Sequence, residues 1–160
     1  MFLAHADAAF NLARWLTLSD SDAQDVVQEA FLRALRFIDT FHGTEGRPWI
    51  LAIVRNTCFT WMQKNRTAQP GALDDMDVAA VADQPEELLM RAEDRQRVTA
   101  ALERLPPEFR EALVLRELEE MSYKEVAQVA GISIGTVMSR LSRGRARLKQ
   151  LLAQETVREM

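Results

Sequence analysis

Apolar positions recur every three to four residues in several separate stretches of the chain, the spacing that gathers them on one face of an α-helix. From Asp22 to Ile38, the residues Val26, Val27, Ala30, Phe31, Ala34 and Ile38 keep this rhythm, and acids occupy the first turn, where the helix dipole favours them. Ile50 to Gln63 repeats it through Ile53, Val54, Cys58 and Trp61. Pro107 to Met121 predicts another helix, opening on a proline suited to a first turn and turning Leu113, Val114 and Leu118 inward. Glycine and proline punctuate the chain at Gly43, Gly46 and Pro48, at Pro70 and Gly71, at Pro85, at Pro106 and Pro107, and at Gly131 and Gly135. No stretch alternates strictly enough to predict a strand, so the expected fold class is all-α.

Arg66 to Gln84 breaks the pattern, with Pro70, Gly71, four aspartates and no apolar stripe able to bury much surface. It predicts a flexible acidic linker over 67–84. Two small helical domains result, at 1–66 and 85–160, each near the lower size limit for an independent core.

The pattern is most specific after Met121. Ser122-Tyr123-Lys124-Glu125 is a capping box, in which serine and glutamate satisfy each other's exposed backbone donors. The short helix it opens should stop near Gly131. Ser133 then caps a longer helix, to Lys149, whose Ile134, Val137, Leu141 and Leu148 line one side while Thr136, Ser139 and Arg143, flanked by Arg140 and Arg147, take the solvent face. Short helix, glycine turn and long basic helix make a helix-turn-helix. Arginine grips guanine edges in a fork, and serine or threonine reaches bases or phosphate. An ordinary solvated basic face would show the same arginines; the cap, the turn and the local absence of acid point to DNA. Gly144 breaks the rule, since a glycine inside a helix costs about 1 kcal/mol against alanine.

Charge changes the picture further. The 160 residues are 48% apolar and 28% charged, with a net charge of −4 that hides strong segregation. From Val126 to Gln154 there is no acid, and Arg140, Arg143, Arg145, Arg147 and Lys149 fall together. Asp20, Asp22, Asp25 and Glu29 fill an early stretch without base. Such asymmetry indicates partners better than the sum does. His5, His42 and Cys58 are the whole stock of soft ligands, so no metal, cofactor or catalytic residue is expected. A lone cysteine, no secretory leader and no apolar run near the roughly 20 residues of a membrane span predict a cytoplasmic protein without membrane insertion.

These residues resemble a known family. Leu105-Pro106-Pro107-Glu108-Phe109-Arg110, Leu115-Arg116-Glu117-Leu118, Met121 to Ala127 and Gly135 to Leu141 resemble region 4 of the extracytoplasmic-function (ECF) sigma factors of the sigma-70 family. Asp22 to Leu35 resembles region 2.2, and Trp49 to Thr57 the stretch through regions 2.3 and 2.4. The chain starts just ahead of Phe10–Leu16, where the family has a longer first helix, and ends at Met160 with no appended sensor domain expected.

The resemblance implies a sigma factor that directs promoter-specific transcription initiation, with core RNA polymerase, promoter DNA and an anti-sigma factor as partners. Region 2 would meet the polymerase β′ clamp helices through Asp25, Gln28, Glu29 and Leu32, and region 4 would meet the β flap. Trp49, Arg55, Asn56, Phe59, Lys64 and Arg66 would hold the −10 element, aromatic faces stacking on bases and basic groups tracking phosphates. Phe41 to Arg47 could pocket a flipped base. Thr136, Ser139, Arg140, Arg143, Arg145 and Arg147 would bind the −35 element. Trp49 and Trp61, at helical positions, suit the core more often than a base-stacking surface. A stand-alone helix-turn-helix repressor would account for the second half but not for the acidic and aromatic-basic first half. An enzyme would want converging carboxylates, a Cys-His pair or a phosphate loop, none of which occurs at usable spacing.

Overall fold

A computed structural model describes residues 2–43, 46–65 and 92–159. Arg66 and the expected linker at 67–84 lie outside the described residues. The described elements are all helical: a 3-10 turn at Phe2–His5, then α1 (Ala6–Thr17), α2 (Asp20–Arg36), α3 (Gly46–Lys64), α4 (Ala92–Glu103), α5 (Pro107–Leu113), α6 (Tyr123–Ala130) and α7 (Ile134–Glu159).

Helix α1 hands over to α2 in two residues. Leu18 takes a left-handed φ of 60°, its N–H returning to Arg14 O at 2.9 Å, and Ser19 accepts from Asp22 N at 3.4 Å to cap α2. Asp20 and Asp22 sit in that first turn as the dipole requires. Leu12 and Leu16 of α1, Val26 and Ala30 of α2, and Ile50, Leu51, Val54 and Cys58 of α3 are fully buried together. Pro48, read as punctuation, lies within the first turn of α3, where an N–H has no intrahelical partner to lose. Ile38 departs from the expected stripe. The helix ends at Arg36, and Ile38 falls in a 3-10 turn, 39% exposed.

In the second half α4, α5 and α6 pack round α7. Helix α4, left unassigned by the apolar stripes, contributes little beyond Ala101 and Leu102 to the core. Arg110 of α5 is buried and binds three carbonyls: Nη1 donates to Glu103 O (3.0 Å) and Leu105 O (2.9 Å), and Nη2 to Leu16 O (3.3 Å). The expected helix from Pro107 is interrupted. Val114–Leu118 forms a π turn, whose extra residue shifts the facing by about 100°, so Leu118 is 51% exposed instead of turned inward. Both capping-box bonds form, Glu125 N to Ser122 Oγ at 3.1 Å and Ser122 N to Glu125 Oε1 at 3.0 Å. Gly131 ends α6 at φ 69°, the left-handed conformation glycine adopts without strain.

The halves are not separate. Helix α6 packs along α3 and α5 against α1, and buried side chains from both halves join one apolar cluster. The face of α3 turned toward the second half is therefore covered by α6.

Candidate nucleic-acid interface

Three surfaces carry the predicted site residues. On α2, Asp25, Gln28, Glu29 and Leu32 are all exposed, and Glu29 accepts from Arg33 Nη2 at 3.0 Å. Leu32, Leu35 and Phe37 continue the ridge at 55%, 62% and 55% exposure. Large apolar side chains thus stand exposed beside a row of acids on this ridge. Leu35 and Phe37 were missed because spacing tells which face a residue takes, not whether that face finds a partner.

On α3, Asn56 and Lys64 are exposed, while Trp49 and Phe59 are half-buried against the core. Trp49 meets Phe41 with ring centroids 5.1 Å apart, and Phe41, His42, Gly43, Trp49 and Gln128 of α6 share a cavity of about 450 Å³. Trp61 is half-buried as well. Arg55 is not free. Its Nε donates to Glu111 Oε1 at 2.6 Å, its Nη1 to Asn56 Oδ1 at 3.3 Å, and its guanidinium lies 3.9 Å above the Phe59 ring. Burial pushes the Glu111 carboxyl above the ordinary carboxylate range, with Arg55 pulling it back.

On α7, Ser139 and Arg143 are exposed and Arg147 half-buried. Ser133 caps the helix, accepting from Thr136 N at 3.1 Å while its hydroxyl lies 2.9 Å from that of Thr136. Val137 and Leu141 are buried as expected, but Ile134 is 46% exposed. Its place in the first turn lies beyond the cover of the neighbouring helices. Arg145 Nη2 donates to Glu117 Oε1 at 2.6 Å. Arg140, expected on the solvent face, is half-buried, and its Nη1 is enclosed with no hydrogen-bond partner among the described residues. It lies one turn before Gly144, which packs on Phe109 and Leu113 of α5, and its charge acts on Glu111.

Spacing singled out neither Glu111 nor Glu119, and it gave Arg47, at the end of the Phe41–Arg47 turn, no carboxylate partner. Arg47 Nη2 donates to Glu119 Oε2 and to Glu119 O, each at 2.8 Å, and Asn11 Nδ2 donates to Glu119 Oε1 at 2.8 Å. Glu111 had a signal: three and four residues on stand buried Val114 and Leu115, so the acid lies within their stripe. Among the described residues no His, Cys, Asp and Glu cluster could hold a metal ion, and no helix is long and apolar enough to cross a membrane.

A helical first half with an exposed acidic and apolar ridge, followed by a capped helix-turn-helix, defines the class of a helical DNA-binding protein. Comparisons with known proteins say which. The family profile described as Sigma-70 region 2 matches residues 1–67, and that described as Sigma-70, region 4 matches residues 95–148. The ECF RNA polymerase sigma factor SigE of Mycolicibacterium smegmatis is 34% identical over 154 residues, 95% of this chain and 60% of that protein. The ECF RNA polymerase sigma-E factor of Escherichia coli K12 is 35% identical over 136 residues, 78% of this chain and 70% of that protein. Among solved structures, the sigma factor RpoE of Bartonella quintana in complex with the anti-sigma factor NepR matches with a TM-score of 0.72 and 28% identity, over 95% of this chain and 94% of that one. CnrH in complex with the cytosolic domain of CnrY matches with a TM-score of 0.68 and 27% identity, over 96% and 85%. The chain belongs to the ECF sigma factors of the sigma-70 family.

Proposed function

We propose that this chain is a promoter-specificity subunit of bacterial RNA polymerase, acting in the cytoplasm and not as an enzyme. Residues 1–66 would form the polymerase-binding and −10 unit and residues 85–160 the −35 unit, joined through 67–84. The observation that carries the reading is the order of surfaces: the exposed α2 ridge, the aromatic-basic α3 and the basic α7 follow one another as regions 2 and 4 do in the family.

Asp25, Gln28, Glu29 and Leu32 dock on the β′ clamp helices, their acids and one apolar knob offering charge and burial together. The β flap takes the second half. Trp49, Asn56, Phe59, Lys64 and Arg66 hold the non-template strand by stacking and phosphate contact, joined by Arg55 once it leaves Glu111. Ser139 and Arg143 read −35 bases, with Thr136, Arg145 and Arg147 on the backbone, while Arg140, half-buried toward Glu111, takes no phosphate in this arrangement. One solved relative is held by an anti-sigma factor and another by the cytosolic domain of CnrY, which supports an anti-sigma partner here.

Transcription reconstituted from core polymerase and this chain, with the RNA 5′ ends sequenced, tests the reading. Starts should fall downstream of one shared pair of promoter elements. DNA binding that needs no polymerase, without directed starts, would instead make the chain a stand-alone regulator.

A further inference from the structure

The outer face of α7 carries apolar side chains among its polar ones. Met138 is 53% exposed and Ile134, one turn earlier on the same side, 46%, while Val137 and Leu141 fill the inward positions and are buried. Two exposed apolar groups make too small a patch for a docking protein, so their neighbours decide what they meet. Ser139 and Arg143 stand exposed beside Met138, and there is no acid from Val126 to Gln154. Gly135, one turn before Ser139, is exposed as well, and a Cβ there would meet only Ser133 Oγ, at 3.9 Å. The helix backbone is therefore bare on the turn preceding Met138 and Ser139, and the floor of a groove can come close to it. Helical side chains lean toward the N-terminus, which lays Met138 over this first turn, the part of a recognition helix that meets base edges.

In the major groove the C5-methyl of thymine is the one apolar mark among donors and acceptors, and a hydroxyl or a guanidinium gains little from it. An unbranched thioether can follow it, because three rotatable bonds and a polarizable sulfur adapt to an irregular surface. We propose that Met138 is a specificity residue for the −35 element, packing its thioether on the C5-methyl of one thymine beside the bases that Ser139 and Arg143 read. This rests on the reading of α7 as the −35 helix. It adds that an A·T pair lies next to the guanine that suits the Arg143 fork. Burying that methyl is worth about fourfold in affinity, the equivalent of roughly 0.8 kcal/mol for one carbon group.

The test uses holoenzyme reconstituted from core polymerase and the full chain, on the promoter recovered by sequencing RNA 5′ ends. Each thymine of the −35 element, on either strand, is replaced in turn by deoxyuridine, which removes the methyl and nothing else, and promoter binding is measured by competition. Wild type should lose about fourfold at one thymine. Met138→Ala should lose a similar amount on unmodified DNA and nothing more on the deoxyuridine promoter, because both changes remove the same contact. Met138→Leu should keep most of the discrimination and Met138→Gln, of similar length but polar at its end, should abolish it. The side chain is exposed, so thermal unfolding of all three variants should match wild type. Equal binding of thymine and deoxyuridine promoters by wild type at every position, or additive losses from Met138→Ala and deoxyuridine, would overturn the contact, as would a −35 element without an A·T pair. Replacing −35 guanines by 7-deazaguanine, which removes the N7 acceptor, separates this from the reading beneath it. Wild type indifferent to both kinds of base change would sink the assignment of α7 to the −35 element, whereas sensitivity to deazaguanine alone would sink only the role of Met138.

Discussion

Glu111 is faced by Arg55 from α3, Arg140 from α7, Glu108 from its own helix and the Cys58 thiol. Burial dominates and lifts its carboxyl, so the folded chain holds that proton more tightly than the unfolded chain. The stability due to this group is complete below the ordinary carboxylate range and is lost as pH rises through the raised value. Glu111→Gln keeps an acceptor for Arg55 without the charge. Urea unfolding should therefore show a shallower fall of stability with rising pH in this variant than in wild type; parallel curves would deny Glu111 the effect. Cys58 beside it is pushed from 9.0 up to about 12, by burial first and Glu111 second. Its thiolate is then about a thousandfold scarcer than that of an ordinary cysteine. Reaction with a disulfide reagent at pH 8 should be correspondingly slow and should accelerate only with urea; prompt reaction of the native protein would contradict the burial.

At the level of elements, α5 and α7 approach so closely that Gly144 is structural. A methyl there would meet Phe109 Cβ at 3.3 Å and Leu113 Cδ1 at 3.4 Å. Read from the sequence, this glycine only weakens a helix. Gly144→Ala should accordingly forfeit the gain of about 1 kcal/mol that helix propensity offers, and Gly144→Val should lose about 1–3 kcal/mol through overpacking. Thermal unfolding of the two variants checks this, and a clear stabilisation by alanine would mean the helices part easily. Farther along the outer face of α7, Arg143 stands exposed beside Ser139. Arg143→Ala should cost about 1–3 kcal/mol at one −35 position and relax preference there, whereas Arg145→Ala should weaken all sequences alike. A panel of −35 variants distinguishes them: a uniform loss for Arg143→Ala would make it a phosphate contact.

Across the whole molecule, α2 packs chiefly on α1 and α3 and leaves its ridge exposed. Reversing Asp25 and Glu29 to lysine should thus leave unfolding within about 0.5 kcal/mol of wild type, as for other exposed positions. Affinity for core polymerase should fall at least tenfold, more steeply at low ionic strength, where surface charges are least screened. Titration against labelled core polymerase measures this, and unchanged affinity would move the docking surface elsewhere.

Helices, caps and the helix-turn-helix were legible in the chain because each depends on neighbours within a turn: the Ser122 box, the Ser133 cap, Gly131 in its left-handed turn and the 3–4 spacing of Val26, Ala30 and Ala34 are local facts. Charge segregation, being additive along the sequence, was legible too. Leu118 and Ile38 were misplaced where a π turn and an early helix end broke the assumed period. What only the tertiary structure decided is which basic groups stand free. Periodicity states the direction a side chain takes from its own helix and says nothing of what another helix brings opposite. Arg55 meets Glu111 across 56 positions and Arg47 meets Glu119 across 72. Arg140 was drawn inward because α5 and α7 close over Gly144. Pairings at such separations are set by packing of apolar faces, and the charges follow where that packing carries them.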